Sequence, residues 1–101
     1  MTEAYLVRHI IAAIRARKPE AYVRKLSDRY TRGLPDILVV WHGRAIFLEI
    51  KTETGKLSKL QAREIEAIWQ AGGLAHVVRS VESALSIFEE SAPRVGVKGE
   101  K

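Results

Sequence analysis

The sequence predicts an α/β domain in which a mixed four-stranded sheet is flanked by helices, in the order α-β-β-β-α-β-α. Three observations lead there. Apolar residues recur at helical spacing near the start of the chain and again after Ser58. Short runs rich in β-branched and aromatic residues, such as Ile37-Leu38-Val39-Val40-Trp41, are bounded by Gly, Pro and polar residues. Finally, strand, helix and strand follow one another late in the chain. That succession implies a right-handed crossover and a parallel neighbour.

Over residues 3–17, Val7, Ile10, Ile11 and Ile14 form an apolar stripe, with Arg8, Arg15, Arg17 and Lys18 off it, and Lys18-Pro19 ends the helix. Residues 21–26 read as a first strand. A polar loop over 27–32 follows. Within or near it lie Arg24, Lys25, Arg29 and Arg32, interleaved with Tyr22 and Tyr30. Next come two apolar runs separated by His42-Gly43, residues that suit the central positions of a hairpin turn. After the turn-like stretch Thr52-Glu53-Thr54-Gly55-Lys56, Ser58 and Gln61 have capping-box spacing at the start of a second helix. Ile65 and Ile68 continue its line, and Gly72-Gly73 stops it. Leu74-Ala75-His76-Val77-Val78 is a short apolar strand. Ser80 caps a last helix whose apolar face is Val81, Ala84, Leu85 and Phe88. From Ser91 the chain turns to Pro, Gly and charge, so the expected division is a domain over 1–90 and a flexible tail over 91–101.

Composition narrows the classes of function. At 101 residues the chain is long enough for one modest core. It has no cysteine, which excludes disulfides and thiolate metal sites. No apolar stretch approaches the roughly 20 residues needed to span a bilayer, and Glu3 and Arg8 interrupt any signal-peptide pattern. The expected location is intracellular, in the cytoplasm of a bacterium or of a viral host. Lys and Arg outnumber Asp and Glu by 17 to 12, for a net charge of +5. Such a balance favours polyanionic partners.

The chemistry-bearing stretch is Gly33-Leu34-Pro35-Asp36, then the hairpin, then Phe47-Leu48-Glu49-Ile50-Lys51. With a two-residue loop at His42-Gly43, Trp41 faces Arg44, and counting back sets Asp36 opposite Glu49. Opposed residues of an antiparallel pair have Cβ atoms about 4.5–5.5 Å apart. Two carboxylates so placed repel unless a proton or a cation lies between them. Lys51, two residues beyond Glu49, shares its face, while Ile46, Leu48 and Ile50 point to the core. A hard divalent cation with oxygen ligands, Mg²⁺ above all, suits such a patch. A longer turn would instead send Asp36 to face Ile50.

Pro35-Asp36 followed by Glu49-x-Lys51 resembles the PD-(D/E)xK nuclease superfamily, and the surroundings are similar to its VRR-NUC branch, the virus-type replication–repair nucleases. The resemblance is carried by Arg32-Gly33-Leu34-Pro35-Asp36, Phe47-Leu48-Glu49-Ile50-Lys51-Thr52, Gly55-Lys56-Leu57-Ser58, Gln61, and Gly73 ahead of an apolar strand. It covers about residues 3–88. It implies a restriction-endonuclease-like core and metal-dependent, structure-specific hydrolysis of DNA phosphodiesters. In that reading Asp36 and Glu49 hold Mg²⁺, with Mn²⁺ also accepted, and the Ile50 backbone carbonyl adds an oxygen. Lys51 positions or deprotonates the attacking water, or stabilises charge on the phosphate. Glu3 is either a third carboxylate at the metal or an acid favourable to the helix dipole. Gln61 either orients water or substrate, or simply completes the cap.

Arg24, Lys25, Arg29, Tyr30, Arg32 and Lys56 would form the nucleic-acid rim, since cations with aromatics suit a phosphate backbone and unstacked bases. The compact form resembles stand-alone viral members that pair as homodimers and act like Holliday-junction resolvases in DNA repair. A two-fold dimer supplies the two nicks that a symmetric junction needs. Apolar residues make up 47% of the chain, and Trp69, Ile11, Leu74 and Phe88 are the expected surplus for such an interface. The alternatives are a nickase, a flap endonuclease, or a basic DNA-binding module that cuts nothing. His9, His42 and His76 lack metal-ligand spacing, and Trp41 and Trp69 read as core or interface.

Overall fold

The computed structural model describes residues 1–26 and 32–89. The elements are α1 (Glu3–Arg17), β1 (Tyr22–Lys25), β2 (Ile37–Trp41), β3 (Arg44–Ile50), α2 (Lys59–Gln70), β4 (Leu74–Val78) and α3 (Val81–Ser86). One mixed sheet has the strand order β1-β2-β3-β4. The pairs β1–β2 and β2–β3 are antiparallel, and β4 lies parallel to β3 at the edge. The architecture expected from the sequence is therefore the one observed. All of the expected polar loop over 27–32 except Arg32, and the whole expected tail over 91–101, lie outside the described residues.

α1 begins where Thr2 Oγ1 accepts the Tyr5 N–H at 3.1 Å, which satisfies one of the donors that a helix start leaves unpaired. Its inward stripe buries Leu6, Val7, Ile10 and Ile14 against the sheet. Alternation along the strands puts Val23, Ile37, Val39, Trp41, Ile46, Leu48 and Ile50 into the same core. α3 closes it with Ala84 and the following Phe88, both fully buried. Arg15 ties α1 to β1 through a 2.9 Å bond from its guanidinium to the Val23 carbonyl.

α2 differs, since none of its residues is fully buried. It lies along β4, where the Trp69 indole N–H donates to the Ala75 carbonyl at 3.0 Å. The helix stops in a Schellman arrangement. Gly72 has φ +88°, its N–H reaches the Trp69 carbonyl, and the Gly73 N–H reaches the Ile68 carbonyl at 2.8 Å. A Cβ on Gly73 would come within 2.7 Å of Ile68 Cγ2, so this position also needs glycine for close approach.

Two expectations about surplus apolar surface need correction. Leu74 and Phe88 belong to the core, because β4 is a sheet member and the chain beyond α3 folds back onto Trp41. Among the described residues, the exposed large apolar ones are instead Met1, Tyr5, Tyr22, Val40, Leu60 and Val77.

Candidate active site

The hairpin sets the site's register. His42 and Gly43 both take positive φ, +50° and +77°, as the tight turn that matches strand twist requires. Trp41 pairs with Arg44, and the ladder runs back to Ile37 opposite Leu48. One step further would bring Asp36 to the level of Glu49. There the regular ladder ends. The Asp36 N–H donates to the Leu48 carbonyl at 3.0 Å, and Asp36 Oδ2 accepts the Ile50 N–H at 2.7 Å. The side chain of Asp36 thus substitutes for a backbone acceptor and is pinned against β3 between Glu49 and Lys51. Its own carbonyl accepts from the Leu26 N–H at 2.8 Å, which fixes it to the end of β1 as well.

Gly33 explains how the chain enters this corner. Its φ is +84°, and a Cβ there would lie 2.7 Å from the Leu60 carbonyl oxygen in the first turn of α2. Only glycine allows both the left-handed backbone and that approach. Gly33 is therefore held close against the first turn of α2, three residues before Asp36 meets β3.

Glu49 and Lys51 are the only buried polar or charged residues among those described. Glu49 is 2% exposed, and its Oε1 has no hydrogen-bond partner among the described residues. Its Oε2 lies 3.8 Å from Lys51 Nζ, which is also 3.5 Å from Glu3 Oε2. Burial pushes the Glu49 carboxyl up to about 7, helped by the charges of Asp36 and Glu3 and opposed by Lys51. Burial also raises Asp36, against the lowering effect of the Ile50 N–H.

These features are what a carboxylate pair short of positive charge looks like. One buried ammonium serves two glutamates, one carboxylate oxygen is orphaned, and both inner acids resist ionisation. The donor set fits a hard cation with oxygen ligands. Glu3 is turned toward Lys51. Among the described residues, no three His, Cys, Asp or Glu side chains form a ready-made cluster. Ile50 sits between Glu49 and Lys51 at the end of β3, and its N–H is the group that holds Asp36.

Gln61 closes a capping box. Its Oε1 accepts the Ser58 N–H at 2.9 Å, and Ser58 Oγ accepts the Gln61 N–H at 3.1 Å. The capping geometry read from the sequence is present, and it engages the amide oxygen of Gln61. Around the site, Arg24, Lys25, Arg32 and Lys56 are exposed. Arg24 Nε donates to the Tyr22 hydroxyl at 2.9 Å, with its guanidinium 5.5 Å from that ring. Arg29 and Tyr30 lie outside the described residues. His9 and His42 are exposed, while His76 is half-buried and burial lowers its pKa.

Sequence reasoning missed Arg79. Its Nη1 donates to the carbonyls of Thr52 and Gly55, each at 2.7 Å, across the segment that follows Lys51. Nothing in the sequence marks it, because its acceptors are backbone oxygens far away in the chain.

A mixed sheet with a buried glutamate, a buried lysine and a half-buried aspartate at the open end of its central hairpin has the build of a nuclease-type α/β domain. Comparison with known proteins identifies the type. The family model described as "VRR-NUC domain" matches residues 1–82, a span that includes Glu3, Asp36, Glu49, Lys51 and Gln61. A solved structure titled "VRR_NUC domain" is 30% identical, with a TM-score of 0.71, and the match covers 90% of this chain and 99% of that one. No curated protein matches. The chain belongs to the VRR-NUC domain family.

Proposed function

We propose that the domain is a metal-dependent, structure-specific endonuclease that hydrolyses DNA phosphodiester bonds. The observation that carries this reading is the orphaned, buried oxygen of Glu49 beside Asp36 and Lys51. A buried carboxylate oxygen with no hydrogen-bond partner costs the fold free energy, and a cation-binding role accounts for it where the single contact of Oε2 with Lys51 does not. Asp36 and Glu49 would hold Mg²⁺ or Mn²⁺, with Glu3 and the Ile50 carbonyl available as further oxygens. Such an ion, when bound, acidifies water and draws charge from a phosphate.

The chain's own groups supply the remainder. The backbone of β3 holds Asp36 in place, so it needs no reorganisation on binding. The apolar layer beneath Glu49 keeps its carboxylate poorly hydrated and ready for a cation. Lys51, held by Glu3 and Glu49, would present an ammonium to the scissile phosphate or move a proton at the attacking water. The exposed Arg24, Lys25, Arg32 and Lys56 would take up flanking phosphates.

The finer reading is a homodimer of viral or repair type acting on four-way junctions. It is supported by the sheet face opposite α1. Tyr22 and Val40, partners across β1 and β2, are 53% and 39% exposed, and Val77 is 36% exposed. Apolar exposure of this kind favours association, and two-fold pairing would present two sites to one junction. The test is a panel of labelled junctions, flaps, duplexes and single strands, with Mg²⁺ or EDTA, alongside light scattering. Paired nicking of junctions by a dimer supports the full reading. Cutting of flaps or single nicks by a monomer leaves a nuclease but removes the resolvase. DNA binding with no cutting of any substrate removes the nuclease.

A further inference from the structure

We infer that Arg79 is a positioning residue for Lys51, acting as a latch on the turn that covers it. The inference rests on the role proposed for Lys51 and extends it to a residue outside the site's motif.

Lys51 is 7% exposed although its neighbours on the loop side are polar and largely open to solvent. Part of its cover comes from the chain directly after it. Residues 52–55 fold back in a turn closed by the Gly55 N–H on the Thr52 carbonyl at 3.1 Å. At Gly55 the turn passes so near that a Cβ would lie 3.5 Å from Lys51 Cδ and 3.2 Å from Thr52 Oγ1. A turn of Thr, Glu, Thr and Gly buries almost no apolar surface of its own, so packing alone does not hold it.

Arg79 holds it. Beyond its two 2.7 Å bonds, Nη1 lies 3.4 Å from the Glu53 carbonyl. One cationic nitrogen thus gathers three carbonyls of the same turn, and charge-assisted bonds of this kind are the stronger ones. The anchor behind the latch is rigid. Arg79 directly follows β4, and the Val78 carbonyl accepts the Lys51 N–H at 3.0 Å. The backbone of Lys51 and the clamp on its covering turn therefore come from adjacent residues of one strand. Immediately after Arg79, Ser80 caps α3 by accepting the Ser83 N–H at 3.0 Å. At the end of its stem, the Lys51 ammonium meets Glu3 at 3.5 Å and Glu49 at 3.8 Å.

Arg79→Met keeps much of the stem's bulk and removes every donor. In the metal-free full chain, trace acetylation of lysines followed by mass spectrometry reads the cover on Lys51, with exposed Lys25 and Lys56 as internal standards. Arg79→Met should raise Lys51 labelling relative to those standards by about tenfold. It should also slow single-turnover cleavage at saturating DNA by about 10–100-fold, the scale of a misplacement near 1 Å, while DNA affinity changes little. Arg79→Lys and Arg79→Gln, each able to reach some of the carbonyls, should fall between, and they serve if Arg79→Met does not fold. Wild-type protection of Lys51 in these variants overturns the inference. So does a loss of DNA affinity with unchanged protection, which would make Arg79 a phosphate contact. Lys51→Ala separates the two layers. If it cuts at the wild-type rate, the role of Lys51 fails, while the labelling result still decides whether Arg79 holds it.

Discussion

Replacing Glu49 with Gln should stabilise the metal-free domain at neutral and alkaline pH while leaving it little changed in mild acid. The carboxyl titrates near 4.5 in the ordinary case and near 7 here, because it is buried beside Asp36. Between those values the folded state binds more protons than the unfolded state, so stability falls as pH rises, and above about 7 the full penalty applies. A shift from 4.5 to about 7 corresponds to about 3 kcal/mol at 1.36 kcal/mol per unit. The figure is an upper bound, since Glu49→Gln also weakens the Lys51 contact. With a urea m-value of about 1.5 kcal/mol/M, the difference moves the midpoint by up to roughly 2 M. Urea unfolding in EDTA at intervals from pH 5 to pH 8 would measure it. The wild-type chain should lose stability across that range, and Glu49→Gln should lose much less. His76, whose pKa is lowered by burial, gives an opposite slope below its ordinary value, but it does so in both chains and cancels in the difference. Parallel profiles for the two chains would refute the claim that Glu49 is a buried acid whose charge the shared Lys51 ammonium only partly offsets.

Other predictions concern neighbouring residues. Lys51→Ala should slow the chemical step by about 10²-fold or more. Its Mg²⁺ affinity, read by titration calorimetry, should hold or rise, because a competing cation is gone. Ser58→Ala should cost about 0.5–2 kcal/mol by thermal melting. If Gln61→Ala lowers stability similarly and leaves turnover intact, Gln61 belongs to the cap; a loss of turnover at unchanged stability would assign it to the site.

Local rules made much of this fold legible from the sequence. His42-Gly43 fixed the turn, the turn fixed the register, and the register brought Asp36 toward Glu49, because a strand's side chains alternate with period two. Ser58, Gln61, Gly72 and Ser80 marked helix ends through backbone groups that must find partners. What stayed hidden depends on contacts between distant segments. Asp36 bonds a backbone N–H of β3 where the ladder ends, a detail that register counting cannot supply. The meeting of Glu3 with Lys51 depends on how α1 lies on the sheet. Gly33 is required by the backbone of α2, which the chain reaches only after the hairpin. The burial of Leu74 and Phe88 was missed because an apolar residue near a chain's end reads alike as core or as interface.

The central claim is that Asp36 and Glu49 together hold the ion that makes this domain a nuclease. Single-turnover cleavage of a DNA junction in Mg²⁺, by the wild-type chain and by Asp36→Asn and Glu49→Gln, tests it most directly when each variant's melting and DNA affinity are measured alongside. The account predicts that both variants fold, bind DNA nearly as the wild type does, and fail to cut. Cutting at a near wild-type rate by either variant would contradict it.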